Sequence, residues 1–266
     1  MGDRVSAAET LPRVALVTGG ARGLGRGAAD RLAADGARVI VLDVAEPVDA
    51  AWTDLAALSP DDPLSFVRVD VTDGSAVRRA VDAVVAVHGG IDVLVVGAGI
   101  AIPATRLVDA AWDDVARLVD VNVWGVMRTL RAVLAVMRAG GSVVVISSQT
   151  GKQAWEGWGV YSGSKAFSIA LVQALAVEHA EEGIRVNALC PGTMESDMMR
   201  TAFTARAAET GRSLDEEIAA YAARIPAGRM GTPTDVGGAV AWLASPDSSF
   251  VTGATINLTG GEMTFF

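Results

Sequence analysis

Seven short runs of β-branched and aliphatic residues, most of them alternating with helical stretches, constrain this chain more than anything else in it. They lie at Val14–Val17, Ala37–Leu42, Leu64–Val69, Ile91–Val96, Ser142–Ile146, Ile184–Leu189 and Ala254–Leu258. Strands that are apolar without alternation are buried on both faces, which requires a parallel sheet covered by helices on either side. The helical stretches are Leu24–Ala34, Gly74–His88, about Asp109–Arg138 with an interruption near Asn122, Tyr161–Glu182, Ser213–Arg224 and Pro233–Ala244. Parallel crossovers are right-handed, so a single-domain, doubly wound α/β sheet of about seven strands is the expected architecture. A chain of 266 residues suits one such domain, 1–266, preceded by an N-terminal extension at 1–12.

Composition narrows the function. A formal net charge of −9 argues against general affinity for nucleic acid or an anionic membrane. Cys190 is the only cysteine, so no intrachain disulfide forms and a reducing compartment is permitted. The first ten residues lack the apolar core of a secretory signal, and the longest apolar stretch, Val93–Pro103, is about half a membrane span. A cytoplasmic location is the expectation. His88 and His179 sit near helix C-termini, and no metal-ligand spacing is seen.

The first strand runs into Thr18-Gly-Gly-Ala-Arg-Gly-Leu-Gly25. Gly19, Gly23 and Gly25, with Arg22 and Leu24 between them, form a strand-to-helix turn whose backbone a pyrophosphate can approach. Asp43, at the end of the second strand, stands where a carboxylate accepts from an adenosine ribose and repels a 2′-phosphate, which points to NAD(H). Arg22 keeps NADP(H) open as the less favoured alternative, because a guanidinium can meet that phosphate. Asp70 and Val71 close the third strand, where Asp70 reaches toward an adenine amino group.

A second constellation handles protons. Tyr161 and Lys165 lie four apart on one helix face, with Ser148 thirteen residues upstream. A cation one turn away favours the phenolate, so the Tyr161 phenol is expected below its usual value near ~10.

Together Thr18-Gly19…Gly23-x-Gly25, Asn122, Ser148, Tyr161-x-x-x-Lys165 and Pro191-Gly192 resemble the short-chain dehydrogenase/reductase family in its form of about 250 residues, from about Val14 to Gly261. The resemblance implies a Rossmann-like fold with Tyr161 as general acid in ketone reduction and general base in alcohol oxidation. It implies that Lys165 holds the nicotinamide ribose and stabilises the tyrosinate, and that Ser148 orients the substrate oxygen. It makes Asn122 a helix break holding a water that joins Lys165 to solvent. Pro191, Gly192 and Thr193 then border the nicotinamide, and a mobile lid follows over about 193–225. Ala98 and Gly99 offer backbone carbonyls to the ribose. One departure stands out: Val96-Gly97-Ala98-Gly99 replaces the family's Asn-Asn-Ala-Gly, removing amides that tie the central strands together.

Trp155 and Trp158 lie between Ser148 and Tyr161, and Met194, Met198, Met199 and Phe203 follow the Pro-Gly turn. An apolar, partly aromatic pocket for a secondary alcohol or ketone with a hydrophobic or cyclic body is the expectation. An NADP(H)-linked 3-oxoacyl reductase and a non-catalytic nucleotide sensor are the alternatives. The resemblance also implies a homotetramer built through the helices around Asp109–Arg138 and Tyr161–Glu182, with the tail Phe265-Phe266 joining a contact.

Overall fold

The computed structural model describes residues 12–264, without the side chains of Asp197 and Met198. The expectations placed on 1–11 and on Phe265-Phe266 lie outside the described residues. Seven parallel strands form one sheet in the order β3-β2-β1-β4-β5-β6-β7. They are β1 Val14–Thr18, β2 Arg38–Asp43, β3 Leu64–Arg68, β4 Ile91–Val96, β5 Met137–Ile146, β6 Arg185–Pro191 and β7 Thr255–Leu258. The helices are α1 Gly23–Ala34, α2 Gly74–His88, α3 Trp112–Val119, α4 Val126–Leu134, α5 Gly159–Glu178, α6 Asp197–Thr210, α7 Leu214–Ala222 and α8 Pro233–Ala244.

Alternate residues of each strand feed opposite layers. Leu16, Leu94, Val143 and Val145 point to one face, where Val77 and Val84 of α2, Leu130 and Val133 of α4, and Val172 of α5 cover them. Val17, Val41, Val95 and Val144 point to the other, beneath α1 and α8. Each fully buried aliphatic side chain contributes about 1.5–3 kcal/mol of transfer free energy, so the two layers clamp the sheet from both sides. On the second face α1 and α8 come closest at glycines: a Cβ on Gly27 would lie 2.1 Å from the Pro233 carbonyl oxygen, and one on Gly237 2.4 Å from that of Gly27.

Local signals fix several boundaries. Asp73 accepts from the Ser75 and Ala76 N–H groups to start α2, and Gly89 at φ 76° ends it. Thr232 and Asp235 form a capping box around Pro233 at the first turn of α8.

Two segments depart from the sequence reading. The helical stretch expected to reach Arg138 ends at Leu134, and β5 starts at Met137 instead of Ser142. Arg138 donates to Asp92 at 2.7 Å and to the His88 carbonyl at 2.6 Å, which draws this part of the chain alongside β4. The second departure is α6, which was not expected; Ser196 caps it by accepting from the Met199 N–H at 3.3 Å.

The sheet order reverses between β1 and β4. Neighbouring chains there leave in opposite directions, opening a crevice beyond their C-terminal ends. Gly19, Gly97 and Gly99 all lie at that edge.

Candidate active site

A cleft of ≈ 1670 Å³ occupies this edge, running from the turn after β1, past the ends of β4 and β5, to α6 and α7. Its floor is the glycine turn. Gly19 has φ 69°, and a Cβ there would lie 2.6 Å from the Ala98 backbone. A Cβ on Gly25 would lie 2.1 Å from the Gly19 oxygen, whereas Gly23, at φ 59°, faces open space. Among the described residues no side chain caps α1 at its N-cap, Arg22, so the first turn of the helix suits a ligand in the cleft. A backbone bare of side chains at a helix N-terminus fits a pyrophosphate.

Asp43 and Asp70 stand on the same wall. One Asp43 oxygen accepts from Ala21 N–H at 2.9 Å, the other from Val44 and Ala45 N–H at 2.7 and 2.9 Å. The carboxylate is thus held rigidly, with lone pairs remaining for a further donor. Asp70 accepts from the Thr72 N–H and hydroxyl, both at 2.8 Å. Leu24, Val71, Ala98, Gly99, Pro191, Gly192 and Thr193 line the cleft as well.

The helix break expected near Asn122 is a π-helical turn, Asp120–Gly125. Asn122 grips the loop after β4 from both sides, accepting from Ile100 N–H at 2.8 Å and donating to the Ile100 carbonyl at 2.9 Å. It also donates to Ser164 on α5 at 3.2 Å. A Cβ on Gly99 would lie 3.3 Å from the Lys165 Nζ and 3.4 Å from the Asn122 Oδ1, so Lys165 and Asn122 converge there. The tie expected to weaken at Gly97 is made another way. Gly97 N–H donates to the Thr18 carbonyl at 3.0 Å, and the Thr18 hydroxyl accepts from Gly97 and Ala98 N–H.

Ser148 follows β5 and accepts at its Oγ from both the N–H and the hydroxyl of Thr150, at 3.1 and 3.0 Å. Ser148 and Tyr161 both line the cleft, and Ser148 acts to lower the Tyr161 phenol. Tyr161 and Lys165 sit in the first turns of α5, and Trp158 packs edge-on against Tyr161 with ring centroids 5.7 Å apart. Lys165 is 9% exposed; its Nζ donates to the Ile146 carbonyl at 3.1 Å and stands 5.7 Å from the Tyr161 ring centroid.

The electrostatics correct the sequence reading. Burial pushes the Tyr161 phenol up to about 12, against the opposing pull of Ser148, and burial drives the Lys165 ammonium down to about 8. Desolvation disfavours both charged forms and is the largest cause of each shift. The phenol is therefore protonated at neutral pH.

Of the residues expected to meet substrate, Trp155, Trp158 and Met194 line the cleft, whereas the Met198 side chain lies outside the described residues. Several lining residues had escaped the sequence reading: Gln149, Trp112, Trp124, Arg206 and Tyr221. Gln149 was signalled by its place beside Ser148. Tyr221 was not, since it arrives from α7. The α6–α7 pair is held from within by Glu217, buried and paired with Arg206 at 3.0 Å and Arg212 at 3.6 Å.

Known proteins are similar to this chain over nearly its whole length. A family model described as enoyl-(acyl carrier protein) reductase matches residues 19–262. Galactitol 2-dehydrogenase of Agrobacterium fabrum is 36% identical over 255 residues, covering 94% of this chain and 97% of that one. The 3-oxoacyl-[acyl-carrier-protein] reductase of Escherichia coli is 33% identical over 253 residues, covering 94% and 96%. Among solved structures, a blue fluorescent protein from a metagenomic library, in complex with NADPH, is similar at a TM-score of 0.78 and 29% identity, covering 95% of this chain and 98% of that one.

Proposed function

The chain belongs to the short-chain dehydrogenase/reductase family of oxidoreductases, and from that premise we propose that it is an NAD(H)-dependent enzyme interconverting a secondary alcohol and a ketone. The observation that carries this reading is the presence of Ser148, Tyr161 and Lys165 in one cleft with the bare glycine turn, with Asn122 and Lys165 converging behind Gly99. When bound, the nicotinamide supplies and accepts the hydride. The protein does the rest. The turn at Gly19–Gly25 would hold the pyrophosphate, Asp43 would take the ribose hydroxyls, and Asp70 and Val71 would border the adenine. Ala98, Gly99 and Lys165 would hold the nicotinamide ribose, and Pro191, Gly192 and Thr193 would border the ring.

In reduction, Ser148 donates a hydrogen bond to the carbonyl oxygen and Tyr161 delivers its proton to the same atom. In oxidation Tyr161 takes the proton back. A buried phenol that keeps its proton near neutrality is suited to the donor role. Lys165 and Asn122 lie together on the inner side of Gly99, which suits a route for returning protons. A protein that only senses nucleotides would have no use for these four groups in one place.

Asp43 supports NAD(H), since its immobilised charge disfavours a 2′-phosphate. An NADP(H)-linked 3-oxoacyl reductase is the second reading, favoured by Arg22 in the cleft wall, by the acyl-carrier reductase similarity and by the NADPH-bound neighbour. The substrate end is walled by Trp155, Trp158, Met194, Met199 and Phe203, which favours an apolar or cyclic body, with residues 193–225 as its lid. The outer face of α5 carries exposed Ala166, Ala170, Ala174 and Val177, and Trp112 at the start of α3 and Trp124 in the π turn are exposed as well. Further copies of this chain, in a homotetramer, are the partners we assign to these surfaces, and the cytoplasm is the location we assign to it. α5 is long and apolar enough to cross a membrane, but it packs along β6 and carries the Tyr161–Lys165 pair to the cleft.

A panel of alcohols and ketones, followed by nicotinamide absorbance with both cofactors, tests this reading. Turnover of apolar secondary alcohols with NAD(H) supports it; preference for small, highly charged substrates overturns the assignment of the pocket.

A further inference from the structure

The C-terminal segment places a carboxylate behind the cleft. Thr193, 7% exposed, donates its backbone N–H to Glu262 Oε2 at 3.0 Å, and its hydroxyl lies 3.1 Å from Glu262 Oε1. Tyr221 of α7 donates to the same Oε1 at 2.9 Å and stands 3.1 Å from the Thr193 hydroxyl. Three groups from distant parts of the chain thus close a triangle, and two of them, Thr193 and Tyr221, line the cleft. Gly192 makes room for it, since a Cβ there would lie 2.8 Å from Glu262 Oε2.

Proton counting gives this triangle a direction. A carboxylate only accepts, so Tyr221 spends its single proton on Glu262. Burial first, and then Glu262 itself, push the Tyr221 phenol up, against Thr193 and Arg224, which keeps that proton in place. The Thr193 hydroxyl has one proton as well, and both partners within reach, Glu262 Oε1 and the Tyr221 oxygen, are acceptors inside the triangle. What Thr193 then presents to the cleft is an oxygen with free lone pairs.

We infer that Glu262 is a positioning residue: it fixes Thr193 as a hydrogen-bond acceptor toward the cleft, where it takes the N–H of a primary carboxamide, and through Tyr221 it fastens α7 to the same point. This rests on the reading that a nicotinamide lies beside Thr193. Recognition of the carboxamide and placement of the proposed lid then depend on one side chain, which touches neither substrate nor reacting atoms.

The test compares three ligands by quenching of tryptophan fluorescence: NAD(H), its 3-acetylpyridine analogue, which lacks the amide N–H₂, and ADP-ribose, which lacks the ring. Wild type should prefer the carboxamide over the acetyl form. Glu262→Met should weaken the carboxamide cofactor by about tenfold, erase that preference, and leave ADP-ribose within about twofold. Glu262→Gln, which keeps one acceptor oxygen, should lie between. Equal weakening of all three ligands would mean a structural role only and would overturn the inference. So would unchanged preference in both variants. Wild type that binds ADP-ribose without distinguishing carboxamide from acetyl defeats the inference while the nucleotide site stands. Wild type that binds none of the three removes the nucleotide reading, and this one with it.

Discussion

The Lys165 ammonium stands 5.7 Å from the centre of the Tyr161 ring and hydrogen-bonds the Ile146 carbonyl at 3.1 Å. Both groups are enclosed, and enclosure decides their protonation: the phenol rises to about 12 and the ammonium falls to about 8. Reduction needs the protonated phenol and oxidation needs its conjugate base. Ketone reduction is therefore expected to hold a steady kcat/KM from pH 6 to 8 while alcohol oxidation climbs over the same range. Initial rates in both directions at saturating cofactor check this; oxidation that falls as pH rises to 8 would contradict it.

Holding Lys165 charged in this enclosure costs stability. Its depressed value means that the unfolded chain binds more protons than the folded one between about pH 8 and the ordinary lysine value near ~10.4. Stability thus rises with pH across that window, and below it the full penalty applies, on the order of 3 kcal/mol. Lys165→Met removes the penalty and loses the Ile146 hydrogen bond, about 1 kcal/mol. The variant should melt about 5 °C above wild type at pH 7, with the difference closing above pH 8, and should lose turnover. Calorimetry across pH 7–10 reads both; a variant less stable at pH 7 would contradict the account.

Asp43 holds the end of β2 against the glycine turn through Ala21 and leaves lone pairs toward the cleft. Asp43→Ser keeps an acceptor and removes the charge. Its kcat/KM with NAD(H) should fall by about tenfold or more while that with NADP(H) rises, moving the ratio by about a hundredfold. Unchanged NAD(H) use would favour the NADP(H)-linked alternative.

Much of the frame was legible in the chain because its causes are local. α2, β4 and α8 have the bounds read from the sequence, and Asp73, Gly89 and Pro233 hold the helix ends by their own chemistry. β5 begins five residues before the expected Ser142, because the contact that extends the strand comes from Arg138 to Asp92, 46 residues away. Gly19, Gly23, Gly25, Tyr161 and Lys165 were legible from spacing along single elements, whereas Tyr221 and Arg206, which come to the cleft from α7 and α6, were not. The protonation of Tyr161 was not. Spacing shows the cation one turn away, but the direction is set by enclosure, which depends on Trp158 and on segments remote in sequence. Glu262 and Tyr221 meet across 41 residues with no local signal.

Tyr161→Phe removes one oxygen and leaves the ring against Trp158, the glycine turn and Asp43 as they were. Dinucleotide affinity of this variant should stay within about threefold of wild type while single-turnover hydride transfer slows by about 10³-fold or more. Hydride transfer at the wild-type rate, with affinity retained, would contradict the claim that this phenol carries the proton.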